Sequence, residues 1–120
     1  MDEKTTIFEL KENVREFCEV RDWDQYHDPK ELSIGLITEA AELLEKFRFK
    51  SSDQMIDSLN NPIKNKEIEE ELADSLFFIL RFAQLHGFDL ASALNSKLKK
   101  NDEKYPVDKV KGLNKKYNEY

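Results

Sequence analysis

The segment at residues 35–47 restricts the fold more than any other part of the chain. Its apolar residues recur every three or four positions, which predicts an amphipathic helix and not a strand. At about 100° per residue, one face of this helix carries Leu36, Ala40, Leu43, Leu44 and Phe47. Glu39 and Glu42 lie side by side along the edge of that face, whereas Glu45 points nearly opposite. The segment is therefore predicted to be a packed helix with an acidic edge.

A second acidic pair, Glu71 and Asp74, repeats this spacing on another predicted helix. Residues three apart are neighbours on a helix surface, so each pair would repel unless a cation or a proton intervened. Antiparallel packing of the two helices would place the pairs opposite each other. The alternative is a solvated acidic face, which is what we expect of Glu45, Glu69 and Glu70. Spacing alone leaves both interpretations open.

The residue types limit which metal such a site would hold. Carboxylates without a neighbouring His or Cys favour Mg²⁺ or Mn²⁺ over zinc. A di-iron site of the Glu-x-x-His type is not expected, because His27 and His86 lie outside both pairs. Mg²⁺ bound by carboxylates usually completes its shell with water and substrate phosphate. If the pairs bind such an ion, a phosphate-bearing substrate is expected.

Glycine and proline are scarce, with three of each in 120 residues, and helical spacing extends over most of the chain. We predict an all-α fold with four helices, at residues 7–20, 29–49, 66–86 and 90–105, and a short helical piece capped at residues 51–53 that runs through Leu59. Thr6, Asp28 and Asp89 are the expected N-caps, and Gly87 the expected end of the helix at 66–86. We expect a helical domain at residues 1–106 and a charged tail at 107–120, either ordered against a neighbouring subunit or frayed.

The predicted helix at 66–86 is apolar around most of its circumference. Besides its main stripe it carries Phe77, Phe78, Phe82 and Leu85. A helix of this kind is buried on several sides, which is difficult within one small subunit. We therefore expect a homo-oligomer with this helix at or near its interface.

The formal net charge of −6 argues against a nucleic-acid polymer as partner. The longest fully apolar run has five residues, 76–80, so no membrane association is expected. The sole cysteine, Cys18, is expected to be a small buried hydrophobe. Without a disulfide framework or a signal-peptide pattern at the start, we expect a cytoplasmic protein.

Two further segments carry candidate binding residues. The connection at residues 21–29 contains Trp23 and His27, which could form the wall of a binding site. In the alternative interpretation, Trp23 is a core residue that closes the end of the bundle, and His27 is a surface residue with its hydrogen bonds satisfied. On the last long helix, Asn101 interrupts the apolar stripe, with Lys97 and Lys104 to either side. These cationic and amide groups would bind the phosphate charges of a polyphosphate that the metal ion does not neutralise.

Three separated motifs resemble those of a known family. Glu39-x-x-Glu42 followed by Glu71-x-x-Asp74 matches the ExxE…ExxD pattern of the all-α nucleoside triphosphate pyrophosphohydrolases, the MazG-like group. Two other runs are similar to segments of its dCTP pyrophosphatase branch: Arg21-Asp22-Trp23-x-Gln25-Tyr26-His27-x-Pro29 and Lys97-x-x-Lys100-Asn101-x-x-Lys104-Tyr105-Pro106. Phe49 stands where that branch has a tryptophan, so a stacking ring is kept and a hydrogen-bond donor is lost.

The resemblance implies a four-helix bundle assembled as a dimer or a dimer of dimers. It also implies Mg²⁺-dependent cleavage of a nucleoside triphosphate into a monophosphate and pyrophosphate. The metal-binding and catalytic residues would be Glu39, Glu42, Glu71 and Asp74. The substrate-binding residues would be Trp23, His27, Phe49, Lys97, Asn101, Lys104 and Tyr105. The alternative is a non-catalytic helical interaction module whose acidic pairs are merely solvated.

Overall fold

The computed structural model describes all 120 residues, and its regular structure is entirely helical. The elements are α1 (Ile7–Glu19), a 3-10 turn (Asp24–Tyr26), α2 (Pro29–Glu45), α3 (Ser52–Asn60), α4 (Pro62–His86), α5 (Leu90–Lys104) and α6 (Val107–Val110). The predicted all-α class is confirmed. None of the helices combines the length and the apolar character that crossing a bilayer requires.

The predicted N-caps form as expected. The side chain of Thr6 accepts a hydrogen bond from the backbone N–H of Glu9 at 3.1 Å, and the side chain of Asp28 accepts one from the backbone N–H of Glu31 at 2.7 Å. Asp89 caps α5 in the same way. These side chains satisfy backbone donors that have no partner inside the helix, which fixes where each helix begins. Gly87, at φ 73°, ends α4 in the left-handed conformation that glycine adopts without steric cost.

Two predicted helix ends are wrong. We expected α2 to continue to Phe49, but it ends at Glu45. The amides of Lys46 and Phe47 bond three residues back, and Phe49 turns to φ 63°. We expected α4 to begin near Lys66, but it begins at Pro62. There the Asn61 side chain accepts two backbone N–H groups, and proline fits the first helical position, where no amide bond is needed.

The chain separates into two compact units, Met1–Gly87 and Phe88–Tyr120. In the first unit α4 packs against α2, α1 and α3, with α2 as its most extensive neighbour. The two helices run antiparallel, since Gly35 faces Phe78 while Lys46 Nζ lies 3.8 Å from Glu67 further along. This register brings the acidic edges of both helices together.

The interior of the first unit is small. Its buried apolar residues are Cys18, Leu32, Ile68, Leu80 and Ala83. The burial of Cys18 was predicted, and it raises the pKa of the thiol. Many apolar side chains remain exposed, among them Phe8 at 71% and Ile37 at 69%.

The second unit consists of α5, the short α6 and the final residues. The Tyr105 ring lies 6.2 Å from that of Tyr117 and 6.4 Å from that of Tyr120. The Tyr120 hydroxyl donates to the backbone carbonyl of Lys104. The end of the chain is therefore attached to the end of α5 in this unit. The predicted domain limit at residue 106 and the packing of the tail on another subunit stay predictions.

Candidate metal centre and adjoining cavity

The antiparallel pairing of α2 and α4 creates a cluster of three carboxylates. One oxygen each from Glu39, Glu42 and Glu71 lies within 4.8 Å of the others. The Oε2 atoms of Glu39 and Glu71 are buried and have no hydrogen-bond partner. Buried carboxylate oxygens without partners are unfavourable, and oxygen donors are what hard divalent cations take as ligands. The residues therefore fit a Mg²⁺ or Mn²⁺ ion.

The carboxylates alter each other's protonation. Burial is the main cause that raises the pKa of Glu39 to about 7, followed by its neighbours Glu42 and Glu71. The pKa of Glu71 is also raised, by burial and by Glu42, with Glu39 and, to a smaller extent, Lys46 opposing the shift. Without a cation, the cluster therefore retains a proton near neutral pH, and the three groups titrate as a unit.

Asp74 lies at the margin of this cluster. It is exposed, does not belong to the group of three, and lines a cavity together with Glu39. Its charge contributes to the raised pKa of Glu39. The structure therefore brings three of the four predicted ligands together and places the fourth beside them.

The cavity next to the cluster has a volume of about 440 Å³ and a largely aromatic wall. Its other lining residues are Asn13, Val14, Phe17, Trp23, Phe77 and Phe78. Phe17 meets Trp23 edge-to-face at 5.7 Å, and it meets Phe77 in the same manner at 6.0 Å. Apolar walls with a few polar groups at one end are typical of small-molecule sites. The cavity therefore combines an aromatic wall with the carboxylates of Glu39 and Asp74.

Trp23 and His27 occupy different positions relative to this cavity. Trp23 is part of the wall and is 37% exposed. His27 lies behind it, with the two ring centroids 6.1 Å apart, and is not among the lining residues. His27 Nδ1 accepts a hydrogen bond from Arg81 Nε at 3.0 Å. The substrate-binding roles of both residues stay predictions.

Phe49 is not brought to the cavity within this chain. Its side chain is 90% exposed, and the Arg48 guanidinium lies 4.6 Å from its ring centroid. It lines a separate surface depression together with Lys50 and Lys64. A role for Phe49 at the site stays a prediction.

The remaining predicted site residues belong to the second unit. Lys97, Asn101 and Lys104 follow the i, i+4, i+7 spacing that puts them on one side of α5. Asn101 is half-buried and Lys97 is exposed. Lys104 Nζ lies 5.0 Å from the Tyr117 ring centroid, and Tyr105 is part of the tyrosine cluster. Their predicted contacts with phosphate stay predictions.

The model of the MazG-like family matches residues 34–120, which include both acidic pairs and all of α5. The chain belongs to the MazG-like family. It is 33% identical to dCTP pyrophosphatase 1 of Rattus norvegicus over 112 residues, which cover 93% of this chain and 66% of that protein. It is 31% identical to dCTP pyrophosphatase 1 of Homo sapiens over 95% of its own length and 67% of the relative's. The chain thus spans about two thirds of the curated relatives it matches.

A solved structure supports the assignment of the fold. A pyrophosphatase from Archaeoglobus fulgidus is 38% identical to the chain, with a TM-score of 0.78. The match covers 83% of this chain and 92% of that one. At this identity and similarity, the helical arrangement described here is that of a MazG-like protein.

Sequence reasoning missed several residues that line the candidate site or lie close to it. Asn13, Val14 and Phe17 were treated only as part of α1, and Phe77 and Phe78 only as apolar surface. Arg81 was also missed. The sequence did contain one signal for Arg81, which is the single cation in an apolar stretch. This position indicates a buried arginine, and a buried arginine requires hydrogen-bonding partners.

Proposed function

We propose that the chain is a Mg²⁺-dependent nucleoside triphosphate pyrophosphohydrolase. It converts a (deoxy)nucleoside triphosphate and water into the monophosphate and pyrophosphate. The observation that carries this proposal is the cluster of Glu39, Glu42 and Glu71, with two partnerless buried oxygens, beside an aromatic cavity. The names of the relatives, dCTP pyrophosphatase and pyrophosphatase, support the same reaction class.

The metal would be held by Glu39, Glu42 and Glu71, with Asp74 at the mouth of the cavity as the fourth ligand. Mg²⁺ is favoured, and Mn²⁺ is the chemically closest substitute. When bound, the ion polarises a phosphoryl oxygen and lowers the pKa of water.

The chain itself supplies orientation and proton transfer. The aromatic wall holds the base through ring contacts, Trp23 being one of its members, and keeps bulk water from that side. A glutamate of the cluster accepts a proton from the attacking water. The water oxygen bonds to the α-phosphorus as the bond from that phosphorus to the bridging oxygen breaks, and pyrophosphate leaves. Lys97, Asn101 and Lys104, with His27, Phe49 and Tyr105, complete the substrate contacts in this proposal.

The biological role and assembly follow from the same proposal. The enzyme removes unwanted nucleotides from the cellular pool, and the cytoplasm is its expected location. More than one copy assembles, because a single chain leaves much apolar surface exposed. The functional unit is then a homo-oligomer.

Product analysis tests the reaction. The protein is incubated with each NTP and dNTP plus Mg²⁺, and the released ion is identified. Pyrophosphate is expected from at least one nucleotide, and its release should stop when EDTA removes the metal. Orthophosphate would contradict the proposed bond. Absence of turnover across the panel would favour the non-catalytic interaction module.

A single substitution tests the metal cluster. Glu42→Gln removes one anionic ligand and should lower kcat by about a hundredfold or more, while the fold is unchanged or more stable because carboxylate repulsion is relieved. Glu45→Gln is the matched control, since Glu45 is exposed and pairs only with Arg48 at 3.2 Å. Steady-state kinetics and thermal melting measure both effects. Wild-type turnover in Glu42→Gln would exclude Glu42 from the metal site.

A further inference from the structure

Arg81 is the largest fully buried side chain of the protein, at 0% exposure. It lies in α4, one turn from Phe77 and Phe78 and two turns from Asp74 on the same side of the helix. A buried guanidinium is tolerated only when its donors are satisfied. Its partners therefore indicate what the residue does.

Two of the three donor nitrogens reach the connection between α1 and α2. Nη2 pairs with the Asp24 carboxylate, and Nε donates to His27 Nδ1 at 3.0 Å. The third, Nη1, donates to Gln84 on the same helix. The partners in the connection are 57 and 54 residues away along the sequence. One side chain thus attaches both ends of the 3-10 turn to α4.

Trp23 immediately precedes this attached turn. Its ring contacts the rings of Phe17 and His27, and it forms part of the cavity wall. Asp22, just before it, has φ 54°, a conformation that non-glycine residues rarely adopt without surrounding support. The Trp23 amide donates to the Cys18 carbonyl at 3.1 Å, and the Trp23 carbonyl accepts from the Tyr26 amide at 2.9 Å. The Trp23 backbone is therefore attached both to the end of α1 and to the turn that Arg81 holds.

The contact also fixes the tautomer of His27. A guanidinium N–H can only donate, so Nδ1 is the acceptor and the neutral ring carries its proton on Nε2. Burial and the neighbouring Arg81 lower the pKa of His27, against the opposing charge of Asp24. His27 is thereby kept neutral, with Nε2–H as its remaining donor.

We propose that Arg81 is a positioning residue, which holds Trp23 in the wall of the nucleotide cavity by attaching Asp24 and His27 to α4. This role rests on the proposed function for its effect on catalysis, but the positioning itself is a property of the protein without substrate. Arg81 contacts neither the cavity nor the carboxylate cluster. Its loss should therefore weaken substrate binding more than the chemical step.

Trp23 is the sole tryptophan of the chain, so its fluorescence reports on this connection without any need for turnover. In Arg81→Met we expect emission at longer wavelength and stronger quenching by acrylamide. KM should rise by about tenfold while kcat changes by less than about threefold. The fluorescence and the KM of Arg81→Lys should lie between those of wild type and Arg81→Met, because one ammonium group cannot satisfy both Asp24 and His27 at once.

Two further variants keep the experiment interpretable. Asp24→Asn, on a half-exposed side chain, removes only the charge partner, so it tests the proposal if Arg81→Met fails to fold. It should change fluorescence and KM in the same direction. Arg15→Met is the matched control, since Arg15 bonds only to Glu12 and Glu19 of its own helix, and both readouts should match wild type.

The outcomes separate this proposal from the proposed function. Unchanged emission, quenching and KM in Arg81→Met and Asp24→Asn would overturn the positioning role. A fall in kcat at constant KM with unchanged fluorescence would overturn it as well. Absence of turnover in the wild-type protein would overturn the proposed function, while the fluorescence comparison would still decide the role of Arg81.

Discussion

Glu39 makes the stability of the metal-free protein depend on pH. Its pKa is raised from 4.5 to about 7, so between these values the folded state binds more protons than the unfolded state. The stabilisation of the folded state that Glu39 contributes by binding a proton is fully present below about pH 4.5. It is lost as the pH rises through about 7. Melting temperatures of wild type and Glu39→Gln, measured from pH 4.5 to 8 in EDTA, should converge at low pH and diverge at high pH, with the variant more stable.

Mg²⁺ should reverse the loss of stability that rising pH causes in the metal-free protein. A cation competes with the proton on the cluster, so its binding is stronger where Glu39 is ionised. The rise in melting temperature that Mg²⁺ causes should be larger at pH 8 than at pH 6. Equal shifts at both pH values, or the same shift in Glu42→Gln, would contradict binding at this cluster.

At the residue scale, the sequence predicted side chains whose role depends on local spacing. Glu39, Glu42, Glu71 and Asp74 could be found because residues three apart share a helix surface, and packing of two apolar faces then brings the pairs together. Arg81 could not be understood in this way, since its partners come from a connection more than 50 residues earlier. Sequence spacing contains no information about such contacts.

At the scale of elements, the closest approach of α2 and α4 depends on Gly35. A Cβ added at this position would overlap the ring of Phe78. Alanine normally stabilises a helix by up to about 1 kcal/mol relative to glycine, but here overpacking should outweigh that gain. We expect Gly35→Ala to destabilise the protein by about 1–3 kcal/mol.

The same substitution should affect binding, because Phe78 lines the cavity and must move. Chemical denaturation measures the loss of stability, and steady-state kinetics should show a raised KM. Ser33→Ala, exposed on the same helix, is the control and should stay within about 0.5 kcal/mol of wild type. A stabilised Gly35→Ala variant would mean that the helices lie further apart than described.

The helix ends show how far local rules extend. Caps with one clear signal, such as Thr6 and Asp28, were located correctly because a single side chain satisfies the free amides. The start of α4 was missed although Asn61 and Pro62 form a good cap, since this pair also marks a chain break. The end of α2 carries no comparable signal. It depends on Phe49 adopting a left-handed conformation that residue type disfavours.

At the scale of the whole molecule, the exposed apolar side chains predict association. Ile37 is 69% exposed on α2, on the side away from Gly35. We expect the protein to have the mass of more than one chain in sedimentation or light scattering, with a melting temperature that rises with concentration. Ile37→Glu should shift the mass toward the single chain if this surface is part of the contact.

The control for charge is Ser52→Glu, which adds the same charge at the exposed first residue of α3. It should leave the mass unchanged. A wild-type protein with the mass of one chain at all concentrations would contradict the proposed assembly. The sequence predicted association, with the apolar helix at 66–86 at or near the contact. A contribution of Ile37 on α2 could not be predicted, because helical spacing identifies apolar faces but not which of them a second copy covers.

The two compact units differ in their chromophores. Three of the four tyrosines, Tyr105, Tyr117 and Tyr120, cluster in the second unit, whereas the sole tryptophan lies in the first. During denaturation, tryptophan emission therefore follows the loss of the first unit, and near-ultraviolet circular dichroism of the tyrosine cluster follows the second. The native sequence thus carries its own spectroscopic labels, with which the order of unfolding of its two parts can be read in one sample.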